Sequence, residues 1–345
     1  MRSFIAFLIL FGIIACSEPK SPQNWTSEVV FQDSAIGVMM ALDVHNDSAI
    51  LATGQSGYFA FSSNFGTVWQ LGRVPEADSM QLRAMQMLDD YSFVVATAGQ
   101  PAQMFKTVDR GENWRRVYSD TTGNAFLDAM LFFNGAKGMV YGDLIDECPF
   151  VLITEDSGES WRRVKCDRLP EPIADEAGYA ASNSLISSFG REVWVATSST
   201  DSGRILRSSD FGEFWIGAPN PLPSDSIAGA MAIRFFDAKR GIVAGGDWTE
   251  PTKKTGTVAY TRDGGTNWQL PENPPGHLAD VVYLPRYNGK VIIAAGQSGL
   301  WQSDDGGANW KNITEEPIYS LETNAIGTQL ITTGRGEIRI WKMVQ

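Results

Sequence analysis

One eight-residue phrase occurs six times in this chain of 345 residues: a hydroxyl residue, a spacer, Asp or Asn, a spacer, Gly, two further residues and Trp. The copies begin at Ser62, Thr107, Thr154, Ser208, Thr261 and Ser303 and end at Trp69, Trp114, Trp161, Trp215, Trp268 and Trp310, so successive copies lie 45, 47, 54, 53 and 42 residues apart. A repeat of that length, with turn-forming residues at fixed offsets, predicts one small antiparallel sheet per repeat and a radial arrangement of the sheets. The third position (Asn64, Asp109, Asp156, Asp210, Asp263 and Asp305) carries an oxygen that closes the turn by accepting backbone N–H groups. The Gly supplies a positive φ. The Trp is expected to start the next strand and to present its apolar face to a neighbouring sheet. These positions are read as structural.

Between the phrases each repeat has the same order: a short apolar strand, a turn, a second apolar strand ending in Gly, a third strand entering the phrase, and a fourth starting at Trp. The fifth repeat shows it in Ala230–Phe236, Gly241–Gly245, Thr257–Thr261 and Trp268–Leu270. No segment carries a 3.6-residue apolar stripe, so the chain is predicted to be all-β. Six phrases give six blades, yet apolar material remains at both ends. Residues 318–343 hold three strand-like pieces, and Trp25–Phe31 is a single strand without a sheet. Together they predict a seventh blade, in which the N-terminal strand completes the C-terminal sheet and removes an exposed edge. The expectation is a single seven-bladed β-propeller domain over residues 25–345.

Residues 1–15 read as a secretory signal: Arg2 near the start, then an apolar run too short to span a bilayer. Ile13-Ile14-Ala15-Cys16 resembles the lipobox of bacterial lipoproteins. That resemblance implies cleavage before Cys16, lipid on Cys16, and a polar tether over residues 16–24. Two other cysteines remain, Cys148 and Cys166, placed symmetrically about the third phrase. A hairpin centred there would set them face to face on its two strands, either as a disulfide or as two buried thiols.

A formal net charge of −12 with no basic cluster argues against nucleic acid. It also leaves the lipid as the only predicted attachment to a membrane. Only His45 and His277 are present, little material for a histidine metal site or a Ser-His-Asp triad, and each reads as a lone polar residue near a loop. No dinucleotide, phosphate-loop or haem motif occurs, so neither cofactor nor metal is expected.

In a propeller the loops between second and third strands meet at one face around the axis. There the chain repeats Gly followed by a polar residue: Gly54-Gln55, Gly99-Gln100, Gly142-Asp143, Gly246-Asp247, Gly296-Gln297 and Gly334-Arg335. Arg83 and Asp128 enter on first strands, and Glu176, Ser182 and Asn183 approach from the long segment before blade four. Arg83, Gln100, Asp128, Asp143, Glu176, Ser182, Asn183 and Asp247 are therefore the ligand-binding candidates, with Asp143 and Asp247 expected in solvent. Clustered carboxylates serve as acid and base or bind a cation or sugar hydroxyls. The same pattern also describes a solvated polar mouth with no ligand.

The repeated phrase resembles the Asp-box, or BNR repeat. With the lipobox, Leu82-Arg83-Ala84, Asp128 within Phe126–Phe133, Gly142-Asp143, Glu176 to Asn183 and Gly245-Gly246-Asp247-Trp248, the chain is similar to bacterial lipoprotein propellers related to the photosystem II stability/assembly factors. Cys148 and Cys166 match as well. Family members often have an aromatic-Arg-Ser stretch where this chain has His277-Leu278-Ala279, so the Arg is missing here. The resemblance implies a monomeric, non-catalytic recognition or assembly protein of the bacterial cell envelope, at the outer membrane or periplasmic face, with an envelope protein or glycan as partner. The alternative is a glycoside hydrolase or lyase of sialidase-like propeller type. Against it, the Arg-Ile-Pro stretch of sialidases is absent, so the residues favour binding over catalysis.

Overall fold

The computed structural model describes residues 19–120 and 122–344; Cys16 and the predicted signal lie outside the described residues. The first strand, β1 (Asn24–Gln32), precedes blade one, which comprises β2 (Ala41–His45), β3 (Ala49–Thr53), β4 (Tyr58–Ser62) and β5 (Gln70–Arg73). Blade two holds β6 (Gln81–Met87), β7 (Phe93–Ala98), β8 (Ala102–Thr107) and β9 (Arg115–Asp120). Blade three holds β10 (Leu127–Phe132), β11 (Gly138–Gly142), β12 (Phe150–Thr154) and β13 (Arg162–Arg163). Blade four holds β14 (Ile186–Phe189), β15 (Glu192–Ala196), β16 (Arg204–Ser208) and β17 (Ile216–Pro219). Blade five has β18 (Ala228–Phe235), β19 (Gly241–Asp247) and β20 (Val258–Thr261). Blade six has β21 (Asp280–Tyr283), β22 (Ile292–Gly296), β23 (Gly299–Ser303) and β24 (Lys311–Thr314). Blade seven has β25 (Ser320–Thr323), β26 (Gln329–Thr333) and β27 (Glu337–Val344), with β1 as its fourth strand. The molecule is a seven-bladed β-propeller.

The closure matches the sequence expectation. β1 runs antiparallel to β27 from Asn24 opposite Val344 to Gln32 opposite Glu337, with Trp25 facing Met343. The polar lead-in is shorter than predicted, because Pro22 already accepts hydrogen bonds from Gln302 Nε2 at 2.9 Å and Lys311 Nζ at 3.3 Å on blade six.

Two local expectations need correction. The fourth strand of blade five is reduced to a single bridge, Tyr260 opposite Gln269, because the Pro-rich run from Pro271 to Pro275 cannot extend a ladder. In the other phrase-bearing blades the fourth strand starts one residue after the Trp, which belongs to the turn. Cys148 and Cys166 are bonded to each other, with Cα atoms 5.8 Å apart. They lie just outside the paired strands, Cys148 in the loop before β12 and Cys166 in a short 3-10 helix after β13.

Second and third strands are covered on both faces by adjacent blades, which is why β3 (AILAT) and β12 (FVLIT) are buried throughout and read as continuous apolar runs. The outermost strand β17 is exposed along its length. Aromatic residues fill the gaps between blades. Trp114 of blade two packs edge-on against Phe59 of blade one, with centroids 5.5 Å apart, and Trp194 of blade four stacks on Phe235 of blade five at 3.7 Å. Such contacts add about 0.5–1.5 kcal/mol each beyond simple burial.

The six phrases form one hydrogen-bonded turn, repeated. The leading hydroxyl accepts the Gly N–H at 2.8–3.0 Å. It donates to the third-position oxygen at 2.7–3.0 Å. That oxygen accepts the N–H just before the Trp at 2.8–3.0 Å. The Trp indole N–H returns to the Gly carbonyl at 2.8–3.2 Å. A positive φ is expected from the sequence only at the Gly, yet the residue before it is left-handed as well: Phe65, Arg110, Ser157 and Phe211 have φ between 51° and 64°. In that conformation its N–H reaches the first-to-second-strand loop of the same blade, as in Phe65 N–H to Ser48 O at 2.8 Å and Arg110 N–H to Tyr91 O at 2.8 Å.

Candidate functional site

The opposite face, where second-to-third-strand loops meet the entries of the first strands, is built from unlike parts. Three first strands are interrupted by β-bulges, between Leu82 and Ala84, Leu127 and Ala129, and Ala230 and Ala232. A bulge re-aims the extra side chain, and the extra residues are Arg83, Asp128 and Met231. Met40, Ala279 and Tyr319 occupy the corresponding positions of blades one, six and seven. Their register is set by equivalent bonds, Met39 N–H to Gly334 O, Leu82 N–H to Gly54 O, Leu278 N–H to Gly245 O and Ile318 N–H to Gly296 O. One position per blade is thereby presented to the axis.

Blade four breaks the ring. Its long lead-in folds across the channel, so that residues 176–185 take the place of a seventh axial side chain. Ser182 donates to Ala279 O of blade six at 2.7 Å. Asn183 Nδ2 donates to Met85 O at 2.7 Å and to Met130 O at 3.0 Å, while its Oδ1 accepts Met130 N–H at 2.9 Å. Ser184 reaches Asp280. Arg83 secures the segment from above, donating to Ala180 O at 3.1 Å and to Gln81 Oε1 at 3.0 Å. Ser182 and Asn183, expected to face a ligand, instead plug the channel and tie three blades together.

Beneath the segment sits a group of acids, of which Asp128 and Glu176 are buried and Asp143 is partly exposed. Glu176 is buried and held by Arg204, whose Nε lies 2.9 Å from Oε1, and by the Thr197 hydroxyl at 2.6 Å. Asp128 is fully buried, and neither of its oxygens has a hydrogen-bond donor; the Tyr141 hydroxyl beside it is likewise unpartnered. Burial pushes the Asp128 carboxyl well above the ordinary carboxylate range, the neighbouring Asp143 pushes it further, and Arg83 opposes both. Asp143 is also raised by burial, against the Gly178 N–H that it accepts at 3.2 Å. Its own backbone passes so close to Phe126 O that residue 142 has room only for Gly.

Asp247 is not in open solvent either. It accepts the Thr249 hydroxyl at 2.7 Å and the N–H groups of Thr249 at 2.8 Å and Glu250 at 3.2 Å, and the Thr249 hydroxyl is foremost in holding its carboxyl below the usual range. It therefore shapes the loop that carries Trp248. Gln100 is spent on Ala125 O. The reason is shared by all these corrections: near a crowded axis, polar side chains are consumed by backbone groups that no ladder satisfies.

What remains open is a cavity of about 320 Å³ walled by Met40, Arg83, Tyr179, Met231, Trp248, His277, Gln297 and Tyr319, with Ala180, Ala181, Ala279 and Ile318 completing it. Of the eight predicted residues only Arg83 lines it, and of the Gly-polar pairs only Gln297. Trp248 is 48% exposed. Tyr179 is fixed by its hydroxyl, which donates to Asp225 O at 2.8 Å. His277 is buried and pushed down to about 4, so it is neutral at physiological pH; its Nδ1 accepts Gln297 N–H at 3.3 Å and its Nε2 lies 3.1 Å from Met231 Sδ. A signal for the wall was present: in Met39-Met40, Leu82-Arg83, Leu127-Asp128, Ala230-Met231, Leu278-Ala279 and Ile318-Tyr319 the axial residue follows a buried apolar one.

No protein-family model matches this chain, and no curated protein matches it. Solved structures do. A structure described as YCF48 bound to D1 peptide superposes with a TM-score of 0.65 at 15% identity, covering 95% of this chain and all of that one. YCF48 from Cyanidioschyzon merolae gives 0.65 at 14% identity over 93% of this chain and 99% of that one. The GH74 enzyme of Niastella koreensis gives 0.61 at 14% identity over 90% of this chain and 53% of that one. At such identities the likeness is one of fold.

Proposed function

We propose that this chain is a non-catalytic recognition or assembly propeller that receives a segment of a partner protein at its axial face. An apolar side chain of that segment enters the cavity beside Trp248. The proposal extends to its setting: lipid on Cys16 holds the molecule at the bacterial cell envelope, and the partner is an envelope protein. The observation that carries the reading is the chemistry of the wall, which is aromatic and thioether-rich with one guanidinium, and includes no Asp or Glu. Hot spots of protein recognition have this composition. The peptide in the YCF48 structure of the same fold supports it.

Hydrolysis of a glycan needs two carboxyl groups flanking the scissile bond, and no Asp or Glu lines this cavity. Binding is therefore the better reading. The test is a library of envelope-protein peptides screened against the purified protein beside a glycan panel with turnover monitored. Peptide binding without glycan turnover is expected. Trp248→Ala should weaken that binding about tenfold or more, while stability stays within about 0.5 kcal/mol because the side chain is half-exposed. Turnover of a glycan, or peptide affinity unchanged in Trp248→Ala, overturns the proposal.

A further inference from the structure

Asp128 poses a problem that the cavity does not explain. Its carboxyl is fully buried, and both oxygens lack a donor. The groups facing it can be enumerated by element. Asp143, from the loop after β11, meets it beneath Gly178, which touches both carboxyls; burial and then Asp143 raise the cost of ionising Asp128, and burial raises that of Asp143 itself. Arg83, on β6, is near enough to interact but spends its bonds on Gln81 and Ala180. Tyr141, on β11, keeps its hydroxyl unpartnered and adds no charge, since burial drives it far above the usual phenol range. Glu176, the next carboxylate, is taken up by Arg204 and Thr197. From above, Gly178 rests directly on the pair: its N–H donates to Asp143, and a Cβ on it would sit 2.8 Å from the Asp128 carboxyl carbon.

We propose that Asp128 and Asp143 share one proton, and that this proton is the latch that seats the 176–185 segment across the channel. The proposal rests on the functional reading only in that Tyr179, Ala180 and Ala181 of this segment wall the cavity, so the latch would regulate that site. With the proton in place the pair carries one negative charge, faced by Arg83, and the segment lies flat. Loss of the proton leaves two adjacent carboxylates, with no donor for the fully buried Asp128. The low-energy response is for the segment to lift and admit solvent.

The sign follows from linkage. The seated form binds one proton more than the lifted form, whose carboxyls titrate in the ordinary range near 4. Lifting therefore becomes easier as pH rises from that range up to the value of the seated pair, and levels off beyond it. One proton corresponds to about a tenfold increase in the opening constant per pH unit.

The experiment is amide hydrogen exchange of the ligand-free protein between pH 5 and 8, corrected for intrinsic rates, comparing wild type with Asp128→Asn. The expected result is opening of residues 177–185 that rises with pH in wild type, by up to about tenfold per pH unit, and is flat in Asp128→Asn. A second measurement covers a variant that fails to fold: infrared spectra of wild type and Asp143→Asn at pH 8. The amide introduced by Asp143→Asn can donate to an ionised Asp128, so the wild-type band of a protonated carboxylic acid should vanish in that variant. Equal pH dependence in wild type and Asp128→Asn, or no carboxylic acid band removed by Asp143→Asn, overturns the latch. No ligand enters either measurement, so failure of the peptide-binding reading would leave these outcomes unchanged.

Discussion

The two faces of this propeller handle carboxylates in opposite ways. On the face of the repeated turns, acidic side chains are exposed and saturated with donors. The carboxyls of Asp109, Asp156 and Asp263 are held below the ordinary range by hydrogen bonds from Asn113, Ser160 and Asn267 respectively. At Asp210 and Asp305 burial acts against this and is outweighed by the bonds of the same turn. On the axis Asp128 and Asp280 are buried and Asp43 is partly so, while Asp247, satisfied within its own loop, behaves like a turn carboxylate. Burial, helped by Glu322, pushes Asp43 up to about 7, and burial pushes Asp280 up to about 6. One face is a set of independent local structures that favour the charged form. The other is a single long-range network that tolerates it poorly.

Three measurements would break or sharpen this contrast. The largest effect is expected from Cys148→Ser with Cys166→Ser. The bond closes a separation of 18 residues and ties the blade-three loop to the root of the axial segment. Its loss should lower stability by about 3 kcal/mol in denaturant titration, with the increase in exchange concentrated in residues 142–185. An increase spread evenly over all blades would mean that the axial segment does not depend on this staple.

Next is Ser208→Ala in the fourth copy of the turn. The Gly212 N–H loses its acceptor while buried, which should lower stability by about 1–3 kcal/mol. Exchange at residues 176–185 should not change. If it does, the turns are not independent of the axis.

A third measurement is of pH dependence. A carboxyl raised in the folded protein contributes stability that is lost as pH rises from the ordinary range, near 4, through the folded value. Asp43 and Asp280 should therefore make the melting temperature fall between about pH 4 and 7. The turn carboxylates, being depressed, have the opposite sign: their contribution is lost only as pH falls below about 4. Asp43→Asn should flatten the fall on the upper side and leave the acid side alone. An unchanged slope would show that the channel admits enough water to hydrate Asp43.

The difference between the faces is also the difference between what could and could not be read in advance. The turns repeat because each is satisfied within eight residues, so Ser62 to Trp69 already holds its own partners. The same locality made the blade count and the closure by residues 25–31 legible, since an apolar strand with no sheet must find one. The axis carries no such pattern. Asp128, Asp143, Glu176, Ser182, Asn183 and Asp247 do lie near it, as their positions in the repeat imply, but their partners follow no common offset: Thr249 is 2 residues from Asp247, Thr197 is 21 from Glu176, Gly178 is 35 from Asp143 and Met85 is 98 from Asn183. Nothing along the chain says whether a polar residue there faces water or a carbonyl. Trp248 and Tyr179 lie inside motifs that carry the family resemblance but do not stand out as site residues for the converse reason: single aromatic residues in loops carry no period.

Closure by β1 also orders events during synthesis. Among the described strands β1 leaves the ribosome first and finds its partner last; its Glu28 meets Lys342 at 2.6 Å across 314 residues of chain. Blades one to six can each condense from contiguous chain as it emerges, but blade seven exists only once β27 has been released. Until then β1 offers a free edge to any chaperone or neighbouring nascent chain. A molecule interrupted before Glu337 would retain six assembled blades with that edge still exposed. The pairing of β1 with β27 thus makes the absence of a free edge the mark of a chain translated through β27.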